Sequence, residues 1–318
     1  MKKILIASTA LALTAGAAMA DGVTISGYGR FGMVYNGGAT GTASKTAMIN
    51  RLRFTFNAKT TTDSGVEFGL QTRVQNDTGD SNSTFNNPYF YVSYQGLKVE
   101  VGNTETAYDS AYLLWDSEMG YRANSFGDPA EYTYYYDSKS PGSQSASSMG
   151  VYASYSVGDF VGQVSYINPD QFTKSSAQPA GTGKETGISL YYKAGQFSVA
   201  GAYTHSGLGI SGNNPWFIGA AYAITDKATV GLNYIDEDST ALGASNPGKT
   251  TTLYGNYAMD AYTFRAYVAH NDRAANNTNN AFGLGVDYAM GGGTTVSAAV
   301  QRGYDSKAHV DIGAKFSF

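Results

Sequence analysis

The sequence predicts an all-β fold, a 16-stranded antiparallel transmembrane β-barrel. Three observations carry that expectation. Apolar and polar residues alternate with a period of two along almost the whole chain, short turns take turns with long polar loops, and the composition is low in charge without any long apolar run. A period of two with one apolar face is the signature of a half-buried strand. The 318 residues include 39 Gly, 26 Tyr, 7 Pro and no Cys, and 14 % are charged, against the ~25 % usual in soluble domains. In a membrane barrel only every second residue meets lipid, which is how such a composition can still be embedded.

Lys2 and Lys3 form a short basic start, residues 4 to 15 are mostly apolar, and Ala18-Met19-Ala20 has the small-x-small form that signal peptidase cuts. Residues 1 to 20 are therefore expected to be a secretory signal peptide, with an apolar run too short to span a bilayer. Their removal leaves residues 21 to 318 as a single domain. It also takes the 21 basic residues to 19 against 25 acidic ones, a net charge of about −6. Without cysteine there is neither a disulfide framework nor a thiolate metal site. No later run approaches the ~18 to 20 apolar residues of a transmembrane helix. An embedded chain must then close its strands so that every backbone group is satisfied.

The first strand places Val23, Ile25, Gly27, Gly29, Phe31, Met33 and Tyr35 on one face, with Thr24, Ser26, Tyr28 and Arg30 on the other. Residues 66 to 75 alternate Val66, Phe68, Leu70, Thr72 and Val74 with Glu67, Gly69, Gln71, Arg73 and Gln75. The chain ends the same way, with Val310, Ile312, Ala314, Phe316 and Phe318 against His309, Asp311, Gly313, Lys315 and Ser317. Between strands, short turns fall at Thr62-Asp63-Ser64-Gly65, Gln95-Gly96, Gly158-Asp159, Ala194-Gly195, Thr225-Asp226 and residues 290 to 293. Longer polar loops at 36 to 46, 76 to 86, 168 to 184, 205 to 214, 236 to 249 and 271 to 280 alternate with them. That is the rhythm of tight periplasmic turns and long external loops. A soluble β-sandwich would also alternate, but the strand number, the turn–loop asymmetry, the strand-end tyrosines and the terminal Phe318 favour a barrel.

One stretch breaks the rhythm. Between the strands at 97 to 103 and 148 to 157 lie over forty residues without clear alternation, containing "TETAYDSAYLLWDSEMGYRANSFGDPAEYTYYYDSKS". Loops this long are usually functional. A free polar loop would be poor in aromatics; this one is rich in Tyr, Trp and Phe and is expected to pack against something.

In "MINRLRFTFNAK" (48 to 59), Arg51 and Arg53 alternate with Leu52, Phe54 and Phe56. Facing lipid near the midplane would cost ~2 to 4 kcal/mol per arginine. A slip of one residue would swap the faces of the whole strand, so the register is strongly set. Arg51 and Arg53 are thus expected to face inward. Arg30 and Arg73 do so by the same parity, on the strands flanking theirs, so four arginines converge on one stretch of inner wall. A purely structural account would have these arginines pair with Glu67 and other interior acids, stiffening the wall without filtering solutes.

Other motifs carry less. "GYGRFG" (27 to 32) and "GLGISG" (207 to 212) match the dinucleotide pattern but lie in a strand and a loop, not between a buried strand and a helix. Glycines in barrel strands more often ease curvature or close packing. His205, His270 and His309 show no serine and orienting group beside them, as a barrel hydrolase would need. Asp236-Glu237-Asp238 lacks the spacing of a calcium loop and reads as an external, solvated charge run. An acidic, exported chain is a poor match for nucleic acid.

The stretches "GYGRFGMVYNGG" (27 to 38), "RLRF" (51 to 54), "VGNTETAYDSAYLLWDSEMGYRANSFGD" (101 to 128), "TLYGNYA" (252 to 258) and "FRAYVA" (264 to 269) carry a family likeness. The chain resembles the general diffusion porins of the Rhodobacter and alphaproteobacterial family over essentially its whole mature length. The 101 to 128 block is the most specific part, because alternation alone does not demand its residues. The resemblance implies an outer-membrane homotrimer in contact with lipid and lipopolysaccharide, each barrel with its third external loop folded into the lumen. That loop would be residues 104 to 147. Its acids Glu105, Asp109, Asp116, Glu118, Asp128 and Glu131 would supply the groups facing the basic wall of Arg30, Arg51, Arg53 and Arg73. Arg122 stands among those acids as a departure from the family pattern. The resemblance also leaves room for calcium on loop acids without assigning a site, and implies no required cofactor.

The function expected is a water-filled channel for passive passage of small hydrophilic solutes and ions. Cations on one wall and carboxylates on the facing loop would set a field across its narrowest part. The net charge of about −6 suggests a weak cation preference. The alternatives are a substrate-selective channel with an aromatic track, a non-conducting barrel or adhesin, and a barrel hydrolase.

Overall fold

The computed structural model describes residues 22–80, 83–129, 135–139, 148–172 and 183–318. The predicted signal peptide lies outside them. Strands run in the order β1 (Val23–Asn36), β2 (Thr46–Thr61), β3 (Glu67–Asp77), β4 (Thr84–Phe85), β5 (Tyr89–Tyr94), β6 (Leu97–Asn103), β7 (Met149–Val157), β8 (Phe160–Ile167) and β9 (Glu185–Ala194). They continue as β10 (Phe197–His205), β11 (Trp216–Ala223), β12 (Ala228–Asp236), β13 (Lys249–Met259), β14 (Tyr262–Asn271), β15 (Asn280–Gly291), β16 (Thr294–Arg302) and β17 (Ala308–Ser317). Pairing is antiparallel throughout, and β1 pairs with both β2 and β17, so the sheet closes on itself. β4 and β5 both pair with β3. They are one wall strand broken at residues 86–88, where Pro88 has no N–H to give to a ladder. The closed barrel therefore has sixteen wall strands, as predicted.

The hairpins follow from turn chemistry. Between β5 and β6, Gln95 and Gly96 both take positive φ, 46° and 85°, the mirror-image turn whose twist matches that of its strands. Periodicity passes over two connections. Asp260-Ala261 joins β14 to β13 with Asp260 at φ 53°, and residues 303–307 join β16 to β17. Neither is long or rich enough in glycine to interrupt the alternation visibly. Where the chain ends meet, Gly27 N–H donates to the Phe318 carbonyl at 2.6 Å and Phe318 N–H returns to Gly27 at 3.0 Å. An added Cβ on Gly27 would lie 2.1 Å from the Phe318 ring, so the glycine makes room for the terminal aromatic.

The burial pattern is that of a protein turned inside out. Phe31, Ile218 and Leu284 are 57 %, 56 % and 61 % exposed, while the polar Asn233, Ser297 and Glu100 are at most 1 % exposed. Large apolar side chains on the outer face are what lipid contact requires, and the polar groups turn inward. Leu52 points outward as expected, while Phe54 and Phe56 on the same face pack edge-on against Phe318 and tilted against Phe85.

Candidate functional site

The described residues of the third long loop, 104–129 and 135–139, lie inside the barrel. Wall side chains hold its backbone nearly all the way round. Ser165 of β8 accepts from Ala107 N–H at 3.0 Å, and Glu185 of β9 accepts from Tyr136 N–H at 2.9 Å. Asn233 of β12 donates to the Leu113 carbonyl, and Thr252 of β13 donates to the Gly127 carbonyl, each at 2.6 Å. Tyr267 of β14 accepts from Phe126 N–H at 3.1 Å, and Asp311 of β17 accepts from Tyr121 N–H at 2.9 Å. Irregular backbone is tolerated at membrane depth only where protein or water satisfies it, and here the wall does so.

Apolar packing adds to this hold, as the aromatic content predicted. Tyr108, Ala111, Leu113, Leu114 and Tyr135 of the loop pack on Ala200, Ala202, Phe217, Ala221 and Ile235 of β10 to β12. Further on, Met119 and Phe126 pack with Tyr254, Tyr267 and Ala299. At the far tip, fully buried Tyr121 sits against Gly32 and Gly313, which face each other across β1 and β17. A Cβ on either glycine would come within 2.9 Å of the Tyr121 ring. Gly32 closes the "GYGRFG" motif, whose last glycine thus serves close packing.

The four predicted arginines lie on one inner surface. Arg30 pairs directly with Arg51 across β1 and β2, and Thr55, two residues from Arg53, pairs with Arg73 across β2 and β3. Arg51 forms a fork with Asp77, Nε to Oδ1 at 2.5 Å and Nη2 to Oδ2 at 2.9 Å. Arg53 donates to Gln75 Oε1 at 2.6 Å, and Gln75 in turn donates to Asp77 at 2.7 Å. The two outer arginines reach the loop instead. Arg30 donates to the Arg122 carbonyl at 2.6 Å, and Arg73 donates to the Lys139 carbonyl. Glu67 takes no part in this: it pairs with Lys59 at 2.7 Å and accepts from Tyr91.

Of the described predicted acids, Glu105 lies near Arg73 and Glu118 near Arg30, while the others have partners elsewhere. Glu105 pairs with Lys139 of its own loop. Asp109 accepts from Ser138 N–H at 2.9 Å, and burial with the nearby Asp137 charge pushes its carboxyl up to about 7. Asp116 meets the Tyr254 hydroxyl at 3.4 Å, and burial raises its carboxyl too. Glu118 keeps partial solvent contact, and burial pushes it up to about 8 despite Lys315, Arg265 and Arg30 nearby. Asp128 is buried beside Glu118 and is raised well above the carboxylate range. Glu131 lies outside the described residues. Among the described residues no three His, Asp or Glu side chains gather as metal ligands.

Sequence reasoning missed Asp77, Gln75, Asn86, Lys139 and Lys315. Asp77 and Gln75 share the parity of Arg73 and were legible in principle. Lys315 pairs with Arg30 only through barrel closure, which no local pattern reveals. Asn86 donates to the Lys139 carbonyl at 3.1 Å from the break in the β4–β5 strand.

The remaining motifs find structural roles. "GLGISG" forms a short turn, with Leu208 N–H donating to Glu185 at 3.0 Å. His205 ends β10, His270 meets Asn280 at 3.0 Å, and His309 meets Asp305 at 3.1 Å. The acidic run departs from the solvated reading: Glu237 is 2 % exposed, while Asp236 and Asp238 flank Lys249 at 3.6 and 3.8 Å.

Known proteins share this closed barrel. The sequence model of Gram-negative porins matches residues 7–308. A porin of Fuscovulum blasticum is 40 % identical over 299 residues, covering 93 % of this chain and 100 % of the relative. Two solved variants of Rhodopseudomonas blastica porin superpose with TM-scores of 0.84, at 39 % and 38 % identity, each match covering 93 % of this chain and 100 % of the other. With agreement in sequence and in barrel over nearly its whole length, the chain belongs to the Gram-negative porin family.

Proposed function

We propose that this outer-membrane porin is a general diffusion channel whose narrowest part lies between the arginine wall and the third loop. Porins are channels rather than enzymes, and the fold has the closed wall a channel needs. The observation that carries the finer reading is the double attachment of the loop. Arg30 holds it at Arg122 and Arg73 holds it at Lys139. Arg51 and Arg53 lie on the strand between these two attachments, braced by Asp77 and Gln75. Braced charges keep their direction while solutes pass, so polar and zwitterionic solutes orient in the field and apolar ones gain nothing from displacing the water.

Selectivity follows from groups at the constriction, not from the chain total. Arg30, Arg51, Arg53, Arg73, Arg122 and Lys315 stand near a loop whose Asp109 and Glu118 are pushed toward neutrality. Near neutral pH this supports a weak anion preference, opposite to the one the net charge of about −6 suggests. Export by removal of residues 1–20, read from the basic start, the apolar run and Ala18-Met19-Ala20, and assembly as a homotrimer in lipid and lipopolysaccharide, which rests on the family likeness, complete the proposal.

Single-channel conductance of the purified protein in planar bilayers tests the reading. Steady, ohmic currents that rise with salt and are little altered by neutral sugars are expected. Saturation by one sugar would replace general diffusion with a substrate-selective channel, and absence of current would overturn both. Native electrophoresis and the mass of the mature chain test trimer and leader.

A further inference from the structure

The loop tip meets the wall at a concentration of positive charge that the general filter does not explain. Lys315, Arg30 and Arg51 lie side by side on β17, β1 and β2, each directly opposite the next. Like charges placed directly opposite destabilise a sheet. Arg122, exposed on the loop tip, joins this row because its carbonyl is held by Arg30 at 2.6 Å. Two acids stand beside the row, Asp77 paired with Arg51 and Asp311 close to Arg122 and Lys315, and part of the positive charge stays uncompensated. Asp77 gives one oxygen to Arg51 Nε and the other to Arg51 Nη2 and Gln75. Asp311 accepts the Tyr121 backbone N–H at 2.9 Å. Glu118 faces Lys315 without a bond to it within 4 Å among the described contacts. Among the described residues Arg30 spends one guanidinium donor on the loop, at the Arg122 carbonyl.

We propose that Lys315, Arg30 and Arg122, beside the Asp77-braced Arg51, form a subsite for compact, doubly charged oxyanions of the phosphate type, within the constriction described above and resting on that reading. Guanidinium forks match the oxygen geometry of phosphate. A dianion bridging the row would relieve the repulsion that the register enforces. The two outer members come from different elements, a loop and the closing strand, so the subsite exists only when the loop tip is docked.

The test is block of potassium chloride current by inorganic pyrophosphate in planar bilayers, comparing wild type with Arg122→Gln, Lys315→Gln, Lys98→Gln and the turn variant Lys227→Gln. Lys98→Gln removes the same charge from the inner wall, on β6, where Lys98 pairs with Glu100 at 2.6 Å and makes neither arginine attachment to the loop. Arg122→Gln and Lys315→Gln are expected to weaken half-block about five- to ten-fold, Lys98→Gln less than two-fold, and Lys227→Gln not at all, an order of effect typical of losing one charge-assisted contact. Equal weakening by Lys98→Gln and Arg122→Gln would replace the subsite with a diffuse field. Normal conductance without pyrophosphate block in wild type would overturn the subsite and leave the channel standing. Absence of any current would overturn the channel reading beneath it.

Discussion

Asn233 on β12 donates its side-chain amide to the carbonyl of Leu113 at 2.6 Å, across 120 positions of sequence. Asn233 is wholly buried, and Leu113 takes a positive φ of 68° at that point. A left-handed leucine is strained unless its surroundings hold it, and this hydrogen bond is one of the restraints. Asn233→Leu should leave the carbonyl buried and unsatisfied, a loss of about 1–3 kcal/mol in loop docking. The expected signature is greater open-channel noise at nearly unchanged barrel stability. A recording as quiet as wild type would show that the apolar packing of Tyr108 and Leu114 suffices alone.

The arginines between the two loop attachments give a second prediction. Arg51→Ala with Arg53→Ala removes two guanidinium groups and leaves Asp77 without its fork. Conductance should rise because the gap widens, and the zero-current potential in a salt gradient should move toward cations. Because the wall strand keeps its outer residues Leu52, Phe54 and Phe56, the barrel should still assemble. Unchanged conductance and selectivity would mean that these arginines only stiffen the wall.

Titration of the loop acids supplies a third. The folded Glu118 carboxyl holds its proton up to about 8 and Asp109 up to about 7, both because burial disfavours their charge. An exposed carboxyl loses its proton near 4. The proton-bound, docked loop therefore has its full stability below that range, and the contribution is lost as pH rises through 7 to 8. Ionised Glu118 would also oppose Lys315, Arg30 and Arg265, with Asp109 and Asp128 as its acidic neighbours. Raising pH from about 6 to about 9 should shift selectivity toward cations. Glu118→Gln should flatten the upper part of that curve, and an identical curve in the variant would exclude Glu118 as its source.

Most of the barrel was legible because alternation is local. Every lipid-facing residue of β1 can be named from its neighbours, and the energy of an arginine in lipid decides the face of Arg51 without any partner in view. The site was less legible because its geometry depends on closure and on a loop without periodicity. Lys315 meets Arg30 only where the last strand joins the first, and no pattern in either strand shows that. Aromatic content announced that the third loop packs, but not that Tyr121 would reach Gly32 and Gly313. The acids were visible as residue types, yet the loop's own turns sent Glu105 to Lys139 and Asp128 beneath the surface. Glu237 misled for the same reason, since a run of three acids does not reveal which one the loop buries.

The seat of Tyr121 permits the sharpest geometric test. A Cβ on Gly313 would stand 2.7 Å from the ring and 2.4 Å from the Phe31 carbonyl, and one on Gly32 would stand 2.3 Å from the Ile312 carbonyl. Backbone oxygens cannot swing aside as a side-chain end can, so the strain must move the ring, the strands or both. Gly313→Val should therefore lift the loop tip from the wall at a cost of about 1–3 kcal/mol. With the tip displaced, the contact from Arg30 to the Arg122 carbonyl is lost and the loop swings further into the lumen. Single-channel conductance should fall, and a protease should cut the loop in folded barrels where it spares wild type. Gly201→Ala is the control, since its Cβ would meet only the Phe217 carbonyl at 3.4 Å. Wild-type conductance and protease resistance in Gly313→Val would mean that the tip is held by Asp311 and the aromatic cluster, with the glycine pair incidental to it.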